Sequence, residues 1–90
     1  MKLEIHVQDI RQTVQVEDSD EALRRLKEEA AARAPFLLRG VIRSLSDLHF
    51  AGEVVKRANA SEGLHDALPS SSQEFLDWAI KRGYATILEP

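Results

Sequence analysis

The residues of this chain that could do chemistry are three histidines, a Ser-Asp-Leu-His run and a cluster of acids. His6, His49 and His65 lack the spacing of three or four residues that places two metal ligands on one helix. Residues 46–49 hold the residue types of a nucleophilic triad, but neighbours at the start of a helix point in different directions. Residues 17–21 lack the spacing and the glycine of a calcium loop. These residues therefore predict helix caps and solvated side chains, with no catalytic, cofactor-binding or metal-binding residue.

The cysteine and glycine content excludes several further kinds of site. The chain has no cysteine, so a thiol nucleophile, a disulfide, a zinc ribbon and an iron–sulfur cluster are excluded. Its four glycines are scattered and form neither a dinucleotide-binding nor a Walker motif. A chain of 90 residues also has little room for a deep pocket. We predict that the protein is not an enzyme and takes no cofactor, with a composite enzyme site shared between subunits as an alternative.

Length and composition predict one soluble domain. Ninety residues leave no room for a second core, and 43% hydrophobic with 30% charged residues is typical of a globular protein. The net charge of −3 differs from the basic surplus of most nucleic-acid-binding proteins. No apolar run is long enough to span a membrane, and the first residues do not resemble a signal peptide. With no cysteine present, these features favour the cytoplasm and predict no membrane partner.

Alternating apolar residues predict three strands. Residues 1–7 alternate strictly between apolar and polar side chains, which is the pattern of a strand with one buried face. A second alternation covers residues 10–17, and the chain can turn at Asp9, so the two runs predict a β-hairpin. Residues 84–88 predict a third strand, which we expect to join the hairpin because an isolated hairpin is only marginally stable.

Capping residues predict where the helices begin. Helices are expected after Asp18, after Ser46 or Asp47, and after Ser70 or Ser71, because each side chain can accept a hydrogen bond from the first turn. Two overlapping capping boxes are expected at the last of these helices, because glutamine and glutamate follow the two serines at the required spacing. The first helix is expected to end or bend where the proline at position 35 disfavours helical geometry before it.

Residues 36–45 decide whether the sheet has three strands or four. They fit a helix begun by Pro35, or one short alternating strand, and we favour the helix although Gly40 weakens it. We therefore predict an α+β fold for a single domain of residues 1–90. The N-terminal hairpin and the C-terminal strand form a small, mainly antiparallel sheet that three to four helices cover on one face. The hairpin and first helix, about a third of the chain, resemble the start of ubiquitin-like β-grasp domains.

A surplus of apolar residues in the middle of the chain gives the leading functional hypothesis. A domain of this size cannot be expected to bury them all, and the remainder could form an interface. The predicted interface consists of Phe36, Leu37, Leu38, Val41, Ile42, Leu45 and Phe50. We predict a protein-interaction module that binds an unidentified protein or a second copy of itself. Leu38→Asp or Ile42→Asp should then change assembly before it unfolds the protein, whereas a simple core helix would unfold.

A local surplus of basic residues gives the alternative function. Residues 24–57 hold eight basic and four acidic residues. If the basic residues that lack a nearby acidic partner share a surface, they could bind an anion or a nucleic-acid backbone. The predicted patch consists of Arg33, Arg39, Arg43, Lys56 and Arg57. A nucleic-acid-associated accessory protein is therefore the alternative, which we do not favour because the chain as a whole is acidic.

Overall fold

The computed structural model describes residues 1–7 and 10–90, and within them the chain forms a three-stranded sheet and four helices. The elements are β1 (Lys2–Val7), β2 (Ile10–Gln15), α1 (Ser19–Arg33), α2 (Phe36–Ser44), α3 (Asp47–Glu62), α4 (Ser72–Lys81) and β3 (Ala85–Glu89). The predicted α+β fold is confirmed. The predicted turn at Asp9 lies outside the described residues.

The sheet has the order β2-β1-β3, and β1 runs antiparallel to both neighbours. Leu3 pairs with Val14 on one side and with Ile87 on the other, which brings the apolar residues of β1 and β2 onto one face. Leu3, Ile5 and Val14 are buried, whereas the alternate residues of β1 are partly exposed. The period of two in the sequence therefore correctly predicts that one face of the sheet is buried.

The helix caps form where the sequence predicts them, but neither of the two overlapping capping boxes expected at α4 forms. Asp18 and Ser46 accept hydrogen bonds from the backbone N–H groups of the residues three positions later, at 2.9 and 3.1 Å. Ser71 accepts from the Glu74 N–H at 3.1 Å. The Glu74 carboxylate does not bond back to Ser71, because it accepts from the N–H and hydroxyl groups of Ser70 instead. These bonds, the backbone one first, lower the pKa of Glu74 and fix the loop before α4.

Residues 36–44 form a helix, so the sheet of the described residues has three strands. Pro35 occupies the position before α2, where its missing N–H costs nothing. The next helix, α3, ends at Gly63, whose φ of 68° lies in the left-handed region that glycine adopts without strain. The helix that the sequence favours for residues 36–45 is therefore confirmed over residues 36–44.

Two buried clusters hold the layers together. The first lies between the sheet and helices α1 and α4, and it consists of Leu3, Ile5, Val14, Val16, Ala22 and Leu76. The second joins α1, α3 and α4, and it consists of Leu23, Phe50, Ala51, Val55 and Phe75. Leu26 packs against both clusters. Helices α1 and α4 therefore cover the sheet, and α3 packs on those helices.

Candidate functional site

Helix α2 packs against the rest of the domain through one side. Ile42 and Leu45 are partly buried and pack against the cluster that joins α1, α3 and α4. Lys27 of α1, whose side chain is only 12% exposed, donates hydrogen bonds from its ammonium group to the backbone carbonyl of Leu45 and, at 3.3 Å, to Asp47. These contacts satisfy a carbonyl at the end of α2 and hold the junction between α2 and α3.

The other apolar side chains of α2 are open to solvent. Phe36 and Leu37 expose 81% and 84% of their surface, and Leu38 and Val41 expose 49% and 56%. We call these four residues the outer face of α2. Leu37 and Val41 are one turn apart and adjoin the stripe through which α2 packs on the domain. The apolar stripe of α2 is therefore wider than the surface that the rest of the chain covers.

The structure separates the seven predicted interface residues into three groups. Four form the outer face of α2, and two, Ile42 and Leu45, lie on its packed underside. Phe50 is 8% exposed and belongs to the core, so it offers no contact area to a partner. It lies beside Ala51 on the side of α3 that packs against the other helices, a side that local sequence does not identify. Because Ile42 packs against the core, Ile42→Asp would disturb the core and would not report on assembly alone.

Replacing Lys27 by methionine is expected to loosen α2. The change leaves the carbonyl of Leu45 without its charged donor, and a hydrogen bond of this kind contributes about 1.5–3 kcal/mol. Hydrogen exchange of the α2 amides should accelerate at least tenfold, while the α4 amides change little. Lys56→Met is the matched control, because Lys56 is exposed and pairs only with Glu53. Equal exchange of α2 in the two variants would contradict this role for Lys27.

The five predicted basic residues are distributed over three places. Arg39 and Arg43 lie on α2, where Arg39 donates to the carbonyl of Ala34 at 3.1 Å. Arg33 and Arg57 line a groove between α1 and α3, and Lys56 lines a separate depression beside α3. Within the described residues, three of the five contact a carboxylate: Arg33 contacts Glu29, Arg43 contacts Glu28 and Lys56 contacts Glu53. Most of their charge is therefore already balanced by the chain itself.

The groove encloses about 730 Å³, compared with about 300 Å³ for the depression beside α3. Apolar side chains from the sheet and from three helices form most of its walls. Its apolar lining consists of Ile5, Leu26, Ala30, Phe50, Val54, Ala58, Phe75, Trp78, Ala79 and Ala85. Phe75 and Trp78 stack with their ring centroids 5.8 Å apart, and the Tyr84 ring lies 5.4 Å from Trp78. We call this feature the α1–α3 groove.

Polar side chains line the rim of the α1–α3 groove. The carboxylate of Glu29 accepts a hydrogen bond from Gln12 at 3.4 Å and lies 3.6 Å from the guanidinium of Arg33. On another part of the rim, the hydroxyl of Tyr84 donates to Glu62 at 2.8 Å. Burial, followed by this contact with a carboxylate, raises the pKa of Tyr84. The sequence does not predict the groove, because it forms between elements distant in sequence.

Asp66 anchors the loop between α3 and α4. Its carboxylate accepts hydrogen bonds from the indole N–H of Trp78 and from Nε of Arg82, both at 2.8 Å. Its backbone exchanges two further bonds with the side chain of Asn59. The bond from Arg82, and then that from Trp78, lowers the pKa of Asp66 to about 2. Local sequence does not identify the partners of Asp66, because they lie 12 and 16 residues later.

The loop anchor predicts a specific acid dependence of stability. Because the pKa of Asp66 falls from 3.8 to about 2 on folding, its contribution is complete above 3.8 and is lost as the pH falls towards 2. Asp66→Asn should lower the thermal midpoint by roughly 5 °C or more at neutral pH. The difference from the native protein should shrink between about pH 4 and pH 2. A difference that stays constant down to pH 2 would show that the carboxylate charge is not responsible.

The histidines do not come together in the structure. His6 lies 2.6 Å from Glu4 on the sheet, His49 lies 3.7 Å from Glu53 on α3, and His65 is exposed in the loop after α3. In residues 1–7 and 10–90, no three side chains of the metal-binding types lie close enough to hold an ion. None of the helices seen in the same residues combines the length and the apolar character needed to cross a membrane.

Comparison with protein families, with curated proteins and with solved structures finds no match to this chain. The surfaces of the described residues that could bind a partner or a ligand are the outer face of α2 and the α1–α3 groove.

Proposed function

We propose that this protein is a protein-interaction module that docks through the outer face of α2. The observation that supports this proposal is the exposure of Leu37, Leu38 and Val41 on a helix whose apolar stripe continues into the core. Apolar stripes on helices are normally covered by protein. With Phe36, these side chains present roughly 400 Å² of apolar surface, within the range of functional patches on small proteins. We include the cytoplasm in the proposal, because a chain without cysteine suits a reducing compartment.

A second copy of the chain is the proposed partner. A two-fold contact requires a single surface that is complementary to itself. The two arginines of α2 do not oppose this contact, because Arg39 bonds to the carbonyl of Ala34 and Arg43 lies 3.9 Å from Glu28. Both guanidinium groups therefore contact their own chain. Two outer faces packed together would bury roughly 800 Å² of apolar side chain, which corresponds to weak and reversible association.

Sedimentation velocity over a concentration series tests this proposal. The mass should rise from the monomer value of 10.1 kDa towards twice that value between about 1 μM and about 1 mM protein. Because the contact is apolar, raising the salt to about 1 M should leave the association unchanged or strengthen it. A protein that remains monomeric over the whole range would contradict the proposal. Association that salt abolishes would indicate contacts between charged side chains instead.

A further inference from the structure

The α1–α3 groove has the dimensions and the lining of a small-molecule site. Its volume of about 730 Å³ falls within the range of roughly 300–1,000 Å³ that such sites occupy. The residues at its base are almost completely buried: Ile5, Phe50, Phe75, Ala79 and Ala85. Trp78, Val54 and Leu26 are partly exposed and form its sides. A ligand could therefore be covered on several sides at once.

The groove favours a ligand whose body is apolar. Apart from Arg57, the charged side chains and the tryptophan that line it already have partners within the chain. Glu29 is occupied by Gln12 and Arg33, and Glu62 accepts the hydroxyl proton of Tyr84. The indole N–H of Trp78 bonds to Asp66 outside the groove. A polar ligand would lose its hydration without gaining hydrogen bonds in return, which costs free energy.

One charged group on the rim remains available for a ligand. Among the residues that the structure describes, no carboxylate contacts Arg57, since Glu53 one turn earlier contacts His49 and Lys56 instead. Arg33, the other arginine of the rim, lies beside Glu29. A guanidinium group donates two parallel hydrogen bonds to a carboxylate, which gives both affinity and orientation. Arg57 is therefore the arginine of the rim that can pair with the carboxylate of a ligand.

We propose that the α1–α3 groove binds a small apolar carboxylic acid, with its body along Phe75 and Trp78 and its carboxylate on Arg57. The site is separate from the outer face of α2. The groove is lined by one side of α1, whereas Lys27 and Glu28, which contact the last turns of α2, lie off that side. Ligand binding and self-association can therefore be tested independently.

Fluorescence titration provides the direct test, because Trp78 is the single tryptophan of the chain and lines the groove. Two probe acids, decanoate and 4-phenylbutyrate, distinguish a linear body from an aromatic one. At least one should change the emission of Trp78 in a saturable way. Decanol and decyltrimethylammonium share the chain of decanoate without its charge, and both should bind more weakly. No saturable binding of either acid, or tighter binding of the cation than of decanoate, would overturn the proposal.

Five variants assign the binding to the groove. Arg57→Gln should weaken the binding of the better acid about tenfold and leave decanol unchanged, because only the acid uses the charge. Arg24→Gln is the matched control, since Arg24 is exposed and lies outside the groove. Ala58→Phe should block the groove, and Ser61→Phe on the exposed rim replaces it if its thermal midpoint shows unfolding. Leu37→Asp should bind the acid as the native chain does, even where it abolishes association. Unchanged acid binding by Arg57→Gln, or by the folded blocking variant, would overturn the proposal.

Discussion

Replacing Leu37 by aspartate is expected to leave the protein monomeric and folded at concentrations where the proposed self-association occurs in the native chain. The side chain is 84% exposed in the single chain, so the folded monomer loses almost nothing. In a two-fold contact the same leucine is buried in both copies, and burial of one such side chain contributes about 1.5–3 kcal/mol. The substitution removes this contribution twice and brings two like charges together. Sedimentation velocity should show the dissociation constant rising about 100-fold or more.

Two further variants make this result specific. Ala67→Asp adds the same charge at an exposed position in the loop between α3 and α4, and it should leave association unchanged. Ile42→Asp is the opposite control, because Ile42 packs on the core and its replacement should lower the thermal midpoint. If Leu37→Asp associates as strongly as Ala67→Asp, the outer face of α2 is not the interface. If Leu37→Asp unfolds as Ile42→Asp does, its leucine belongs to the core.

Leu23→Ala is expected to remove much of the stability of the domain. Leu23 is 1% exposed and lies in the cluster that joins α1, α3 and α4. Truncating a buried leucine costs about 2–5 kcal/mol, because a cavity remains in its place. A domain of 90 residues has a total stability of about 5–13 kcal/mol, so this loss is a large fraction of it. Urea denaturation should show the midpoint falling with little change in slope.

Leu88→Ala is the control for this truncation, since Leu88 is 45% exposed at the end of β3. Its replacement should change the free energy of unfolding by less than about 1 kcal/mol. If Leu23→Ala lowers the free energy of unfolding no more than Leu88→Ala does, the cluster that joins α1, α3 and α4 does not support the fold. The packing that presents both α2 and the groove would then need a different explanation.

The features that the sequence predicts correctly are local ones. The strand pattern of residues 1–7, the caps at Asp18 and Ser46 and the helix begun by Pro35 each depend on residues within a few positions of one another. Their physical causes, a period of two, a side-chain acceptor and a fixed backbone angle, operate over the same short range. Such features can be inferred from a single sequence because contacts with distant parts of the chain do not reverse these local preferences.

The features that the sequence does not predict depend on contacts between distant elements. Phe50 and Leu37 are both apolar residues of one central region, and only the packing of α1 and α4 against α3 decides that the first is buried. The groove brings Ile5 of the sheet to Tyr84, which is far along the chain. Gln12 is the one local indication of the groove in the sequence. It interrupts the alternation of apolar and polar residues in β2, and in the structure it lies at the rim of the groove.

The measurement that tests the central claim most directly is a dilution series of amide chemical shifts from uniformly ¹⁵N-labelled protein. We propose that a second copy covers the outer face of α2. Shifts that depend on concentration should therefore concentrate at residues 36–41, and the Leu37→Asp variant should show the diluted spectrum at every concentration. Shifts that leave residues 36–41 unchanged and fall on the strands β2 or β3 would contradict the account, because they would indicate association through the edges of the sheet.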